Sequence, residues 1–180
     1  MDIRLKIQEL AERSGFFEHG YTQTQNLRYH AEVRALCEGN ACRNYAKTWA
    51  CPPAVGSLKE CQARVGRYAY MFLFSKKYDL EDSFDFDGMT AGHADFQKTV
   101  DNFQEGVEDL LSDFLLLSNE GCTRCAVCAY PNAPCRFPKK LHPSLEGYGF
   151  IVSELAERAG IRYHNGANTV TYFGALCFSV

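Results

Sequence analysis

Tyr68-Ala69-Tyr70-Met71-Phe72-Leu73-Phe74-Ser75 is apolar at nearly every position. In an extended chain Tyr68, Tyr70, Phe72 and Phe74 share one face, and Ala69, Met71 and Leu73 share the other. A strand with hydrophobic side chains on both faces has to be covered twice, so the stretch predicts a central strand buried on both sides. The corresponding fold class is α+β. The expectation is one domain over residues 1–180, a mostly antiparallel sheet with packed helices, and two cysteine-rich loops set on it.

Towards the C-terminus, Asp79 to Gly88 is acidic and reads as a solvated loop. Asp85-Phe86-Asp87-Gly88 hints at a calcium loop, but the frame puts Ala94 where a bidentate glutamate is required. Phe96, Val100, Phe103, Val107, Leu110 and Phe114 then step by threes and fours, which predicts a helix over residues 90–117. Ser144 can cap a helix carrying Leu145, Tyr148, Val152, Leu155 and Ala159, with Gly160 past its end. A short strand is expected over Ile161 to His164, and a last strand where Val170, Tyr172, Leu176 and Phe178 alternate.

Towards the N-terminus, Ser57-Leu58-Lys59-Glu60 is a capping box that opens a helix to about Val65. Leu27, Tyr29, Ala31, Val33 and Ala35 alternate with polar residues, which predicts a half-buried strand ending at Cys37. Gly20 to Asn26 reads as loop, and Ile3, Ile7, Leu10 and Ser14 as a helix stopped by Gly15.

Composition narrows the function classes. Hydrophobic residues make up 46% of 180 residues, which excludes a disordered chain. A net charge of −3 argues against a general nucleic-acid binder, and no stretch has the length of a membrane span. Met1 leads straight into the charged stretch Asp2 to Glu9, so a secretory leader is not expected and a cytoplasmic location is. In a reducing compartment nine cysteines point to metal binding rather than to bridges.

Eight of the nine fall into two groups. Cys122, Cys125 and Cys128 stand at C-x2-C-x2-C, and Cys135 follows after a gap of six residues. At that spacing each thiolate can take a different iron of one [4Fe–4S] cubane. The bacterial ferredoxin run is the nearest pattern, but the last gap here is longer and Arg136 stands where proline would follow. Spacing alone leaves open which cluster Cys135 serves. Zinc, which more often takes two separated C-x2-C pairs, is the alternative metal, and thiol or disulfide chemistry is a third reading. Cys37, Cys42 and Cys51 lie in an irregular loop rich in glycine, asparagine and proline. Cys61, on the inner face of the helix after it, is either a fourth ligand or a small core hydrophobe. The ninth, Cys177, sits in a strand pattern and is expected to bind nothing.

Together, Cys37-x4-Cys42-Arg-Asn-Tyr45, Trp49-Ala-Cys51-Pro-Pro-Ala-Val-Gly56, Cys122-x2-Cys125-x2-Cys128, Pro134-Cys135-Arg-Phe-Pro138, Pro143-Ser-Leu-Glu146 and Thr169-Val-Thr-Tyr resemble one family. It is a cysteine-rich family of bacterial and archaeal proteins described as predicted metal-binding proteins, a domain of unknown function. The resemblance runs from about Val33 to the C-terminus and implies a metal site, iron–sulfur in kind. Where that family often continues Tyr-Gly-Lys, this chain has Tyr45-Ala46-Lys47.

The function expected is electron transfer by two [4Fe–4S] clusters on Cys37, Cys42, Cys51, Cys61 and on Cys122, Cys125, Cys128, Cys135, serving a redox partner protein. The alternatives are a zinc-stabilised binding module without redox chemistry, and a small cluster-dependent oxidoreductase with a substrate pocket. No phosphate loop or G-x-G-x-x-G supports a nucleotide cofactor, and no catalytic dyad stands out.

Overall fold

A computed structural model describes residues 2–119 and 121–180, and among them four strands form one sheet. They are β1 (Glu18–Gln23), β2 (Tyr70–Asp79), β3 (Phe114–Ser118) and β4 (Thr169–Phe178), all antiparallel, in the order β1-β2-β4-β3. The two long strands form its centre. Met71, Leu73, Phe173, Ala175 and Cys177 point to one face, and Phe72, Phe74, Tyr172, Leu176 and Phe178 to the other, all buried. The fold is α+β, with a hydrophobic core on each side of the sheet.

Helices α1 (Ile3–Ser14) and α4 (Phe86–Glu108) cover the phenylalanine-rich face. Ile7 and Ala11 come from α1, and Phe96, Val100, Phe103 and Val107 from α4. The other face is covered by α3 (Leu58–Val65) and α5 (Val152–Ala159), joined by Leu145, Tyr148 and Phe150. Helix α2 (Ala31–Glu38) buries no residue and packs over the 3-10 turn Glu146–Tyr148. No helix among the described residues is long and apolar enough to cross a membrane.

Several local expectations hold in detail. Ser57 and Glu60 make the reciprocal capping box, and Gly15 ends α1 at φ 82 in the left-handed region. Others need correction. The alternation from Leu27 is not a strand. Residues 27–30 are extended and tuck Leu27 and Tyr29 against the core, and then the chain turns into α2. The first strand lies earlier, in Glu18–Gln23, where every residue but Gln23 is half-buried and a period of two has no apolar contrast to show. The long helix stops at Glu108, not 117. Leu110 and Phe114 continue its periodicity, but Leu115, Leu116 and Leu117 pair with Cys177, Leu176 and Ala175 of β4. Residues 161–164 are irregular, and the helix expected from Ser144 is split by Gly149 at φ 80 into the 3-10 turn and α5.

The end of β3 is where the cysteine loops join the sheet. The chain leaves at Ser118 and returns beside it, with the Ser118 amide donating to Pro143 O (3.0 Å) and the Leu145 amide to Ser118 O (2.8 Å). The Ser144 amide donates to Ala50 O at 2.8 Å, which ties in the loop after α2. Asn119 pairs with Phe173 through both its backbone and its side chain.

Phe74 is fully buried, stacks on Phe16 at 4.3 Å and touches Phe103. Phe74→Ala should lower the stability measured by urea unfolding by about 3–5 kcal/mol. Cys177→Ala removes only one small buried group and should cost about 1 kcal/mol.

Candidate metal centres

Cys122, Cys125, Cys128 and Cys135 line one small cavity, of about 20 Å3, together with Trp49, Arg124 and Phe137. The loop that carries them is fastened from outside. The Arg124 guanidinium sits in a two-pronged ion pair with Asp101 of α4, one prong at 2.6 Å, and its Nε donates to Lys140 O at 2.8 Å. Arg136 donates to Val127 O at 2.8 Å, and Trp49 Nε1 donates to Ala133 O at 3.0 Å. Backbone amides are turned to the sulfurs: Phe137 N–H points at Cys135 Sγ (3.4 Å), and the Arg124 amide faces Cys122. These are the features by which a protein holds and tunes a thiolate-bound iron–sulfur group.

Cys37, Cys42 and Cys51 line another cavity, the first in chain order, of about 310 Å3, with Asn44, Tyr45, Gly121, Ser144 and Glu146. Cys37 comes from the last turn of α2 and Cys51 from the turn before Pro52-Pro53. Between them the loop reverses direction through three left-handed residues, Asn40, Arg43 and Ala46. Asn40 Oδ1 accepts from the Tyr45 amide at 3.1 Å, and the Ala46 amide donates to Pro52 O at 2.9 Å. The hydroxyls of Thr48 and Ser144 face the Cys51 thiol.

Burial pushes the thiols of Cys37, Cys51 and Cys122 above their ordinary range. Metal binding by these groups therefore has to displace protons. All nine cysteines are free thiols, and among the described residues no three cysteine, histidine or acidic side chains are gathered tightly enough for a single metal ion. The thiols ring cavities instead of meeting at a point. Four thiols around one cavity and three around another are a donor set suited to a multinuclear cluster.

The two cavities are neighbours. Gly121 lines one and Cys122, the next residue, lines the other. The approach at Gly121 is close: a Cβ there would come within 2.5 Å of Asn44 Nδ2. An open basin of about 600 Å3 also runs along the second loop, walled by Asn44, Lys47, Thr48, Cys125 and Tyr130. A groove of about 460 Å3 elsewhere, lined by residues such as Gln23, Tyr29, Gln62 and Tyr68, offers no thiol or carboxylate.

Of the eight cysteines singled out from sequence, seven lie in these two cavities. Cys61 lies in the core, fully buried on α3, with its thiol donating to Val55 O at 3.5 Å. Cys177 is buried in β4. Asn44, Ser144 and Glu146 line the first cavity and were not singled out as ligands from sequence. The one signal for the last two was their place in Pro143-Ser144-Leu145-Glu146.

Two anchoring residues of these loops lend themselves to measurement. Ala46 holds φ 56, a conformation that suits glycine. Ala46→Gly should therefore stabilise the protein by about 1 kcal/mol in urea unfolding. His142, behind the second loop, donates to Gln104 Oε1 (2.7 Å), and burial first, then the nearby Arg124 charge, lower its pKa from 6.5 to about 4. The unfolded chain takes up this proton before the folded one does. The contribution of His142 to stability is thus complete above pH 6.5 and is lost as pH falls towards 4. The loss should reach about 3 kcal/mol, and it should be missing from the same pH series on His142→Gln.

Residues 21–178 match a family described as "Predicted metal-binding protein (DUF2284)". No curated protein matches the sequence significantly. A solved structure of epoxyqueuosine reductase from Streptococcus thermophilus is similar over 98% of this chain, with a TM-score of 0.50 and 16% sequence identity. The chain spans 46% of the length of that structure, and at this identity the likeness concerns the fold alone.

Proposed function

We propose that this chain, which belongs to the family of predicted metal-binding proteins, is an iron–sulfur protein that holds two [4Fe–4S] clusters and passes single electrons to a partner protein. The observation that carries this reading is the shared wall of the two thiol-lined cavities. Consecutive residues, Gly121 and Cys122, face one each. Two redox groups bound there would share this stretch of backbone as their common wall.

Bound clusters would supply the one-electron chemistry. The remaining work belongs to this chain. Cys122, Cys125, Cys128 and Cys135 would hold one cluster, and Cys37, Cys42 and Cys51 three corners of the other. The Arg124 amide and Phe137 N–H would take up negative charge on the sulfurs, and Trp49 would keep water from the cluster on Cys122 to Cys135. Arg136, Lys139 and Lys140 give the rim a positive field, and Val127 and Phe137 present apolar surface beside it, 77% and 48% exposed. A redox protein with an acidic rim around an apolar patch would fit that surface. The expected setting is a reducing cytoplasm, away from nucleic acid and membrane.

A second reading is favoured by the basin along the second loop. Its volume of about 600 Å3 is enough for a small substrate, which would make the protein a cluster-dependent oxidoreductase. A zinc-stabilised module is the third reading, and four thiols such as Cys122, Cys125, Cys128 and Cys135 around one small cavity are also a zinc-type donor set.

Metal and sulfide analysis of protein purified without oxygen should give about eight irons and about eight sulfides per chain, with brown absorption. Stoichiometric zinc without sulfide would replace this reading with the zinc module.

A further inference from the structure

The first cavity has three thiols, and a cubane has four irons to hold. Sequence reasoning gives the fourth corner to Cys61, the nearest cysteine left over. The structure offers another group. Glu146 lines the cavity with Cys37, Cys42 and Cys51. Its carboxylate is close enough for its charge to act on the thiols of both Cys37 and Cys51.

Backbone geometry fixes Glu146 there. It opens the 3-10 turn that comes just after the Ser118–Leu145 pairing. Ser144 Oγ holds that turn by accepting from the Gly147 amide at 3.0 Å, and Gly149 closes it at φ 80. Cys61 is fixed just as firmly somewhere else. It has no exposed surface and belongs to the core with Val55, Val65 and Tyr148. Two guanidinium groups flank its sulfur, Arg64 at 3.6 Å and Arg34 at 3.9 Å. Arg34 is clamped in turn to Gly147 O at 2.7 Å and Gly56 O at 2.8 Å. Bringing Cys61 to the cavity would mean pulling α3 out of its capped position and opening the core.

We infer that the first cluster is held by three thiolates and one carboxylate, Cys37, Cys42, Cys51 and Glu146, and that Cys61 is a core residue. This rests on the iron–sulfur reading of the two cavities. A carboxylate carries the same charge as a thiolate but is a harder donor and grips iron less firmly. One iron of this cluster is therefore distinct from the other three, and it is the corner where a small ligand can exchange.

The test uses iron content and EPR on the full chain, purified without oxygen. Cys61→Ala and the space-filling Cys61→Val should both keep the wild-type iron content of about eight per chain. Glu146→Ala should weaken one corner. Ferricyanide then takes one electron from that cluster, one Fe2+ leaves, and a [3Fe–4S]+ EPR signal remains, with about one iron lost per chain relative to wild type treated alike. Glu146→Cys should restore a fourth firm ligand and suppress that signal. If either Cys61 variant folds with about four irons while Glu146→Ala behaves as wild type, the assignment is overturned and Cys61 is the ligand. Wild-type protein that contains no iron would overturn the iron–sulfur reading itself, which is a separate result.

Discussion

A few backbone hydrogen bonds at the end of β3 hold both cysteine loops. Ser118 is paired on both sides by the returning chain at Pro143 and Leu145, and Ser144 reaches on to Ala50. The sheet edge is thus met by an isolated bridge, Ser118 to Ser144, and one further hydrogen bond passes from Ser144 to the first loop. That pairing matters because most residues of the two loops are exposed or half-exposed and contribute little to either core. The hydrophobic cores determine where β3 and β4 lie, and the β3 edge in turn determines where the thiols lie.

The second loop has a further anchor of a different kind. Asp101 lies on the α4 face that looks past the sheet towards the loop, and its side chain is 11% exposed. Pairing with Arg124 neutralises a carboxylate that would otherwise be costly at that depth. It also holds the Arg124 charge beside the thiols. The same residue serves as a mechanical tie and as part of the field that a bound cluster would experience.

Much of this was legible in the sequence where side-chain pattern and burial agree. The stretch Tyr68 to Ser75 announces a two-sided strand because both its faces are apolar, and α1, α3 and the last strand carry clear periodicity or caps. The failures share a cause. Leu27 to Ala35 alternates because its first residues are tucked inward, and α2 buries no residue, so no core contact sets its period apart from the extended stretch before it. The α4 pattern runs past its end because Leu110 and Phe114 reach the same core by other routes. Spacing grouped Cys122 to Cys135, which the structure brings to one cavity. Spacing has no power over Cys61, because its relation to Cys37 depends on how α2 and α3 meet, and a carboxylate such as Glu146 carries no cysteine-like mark in a sequence.

The two cavities differ in how far along the chain their walls are drawn from. Cys122 to Cys135 form their cavity within a single loop, backed chiefly by nearby residues such as Phe137 and Lys140. Cys37, Cys42 and Cys51 face Gly121, Ser144 and Glu146, which are made much later. Contacts between distant parts of a chain form late in folding. During synthesis, then, the part of the site that leaves the ribosome first is the part that is finished last. For that interval Cys42, exposed even in the folded protein, sits on a loop whose opposite wall does not yet exist.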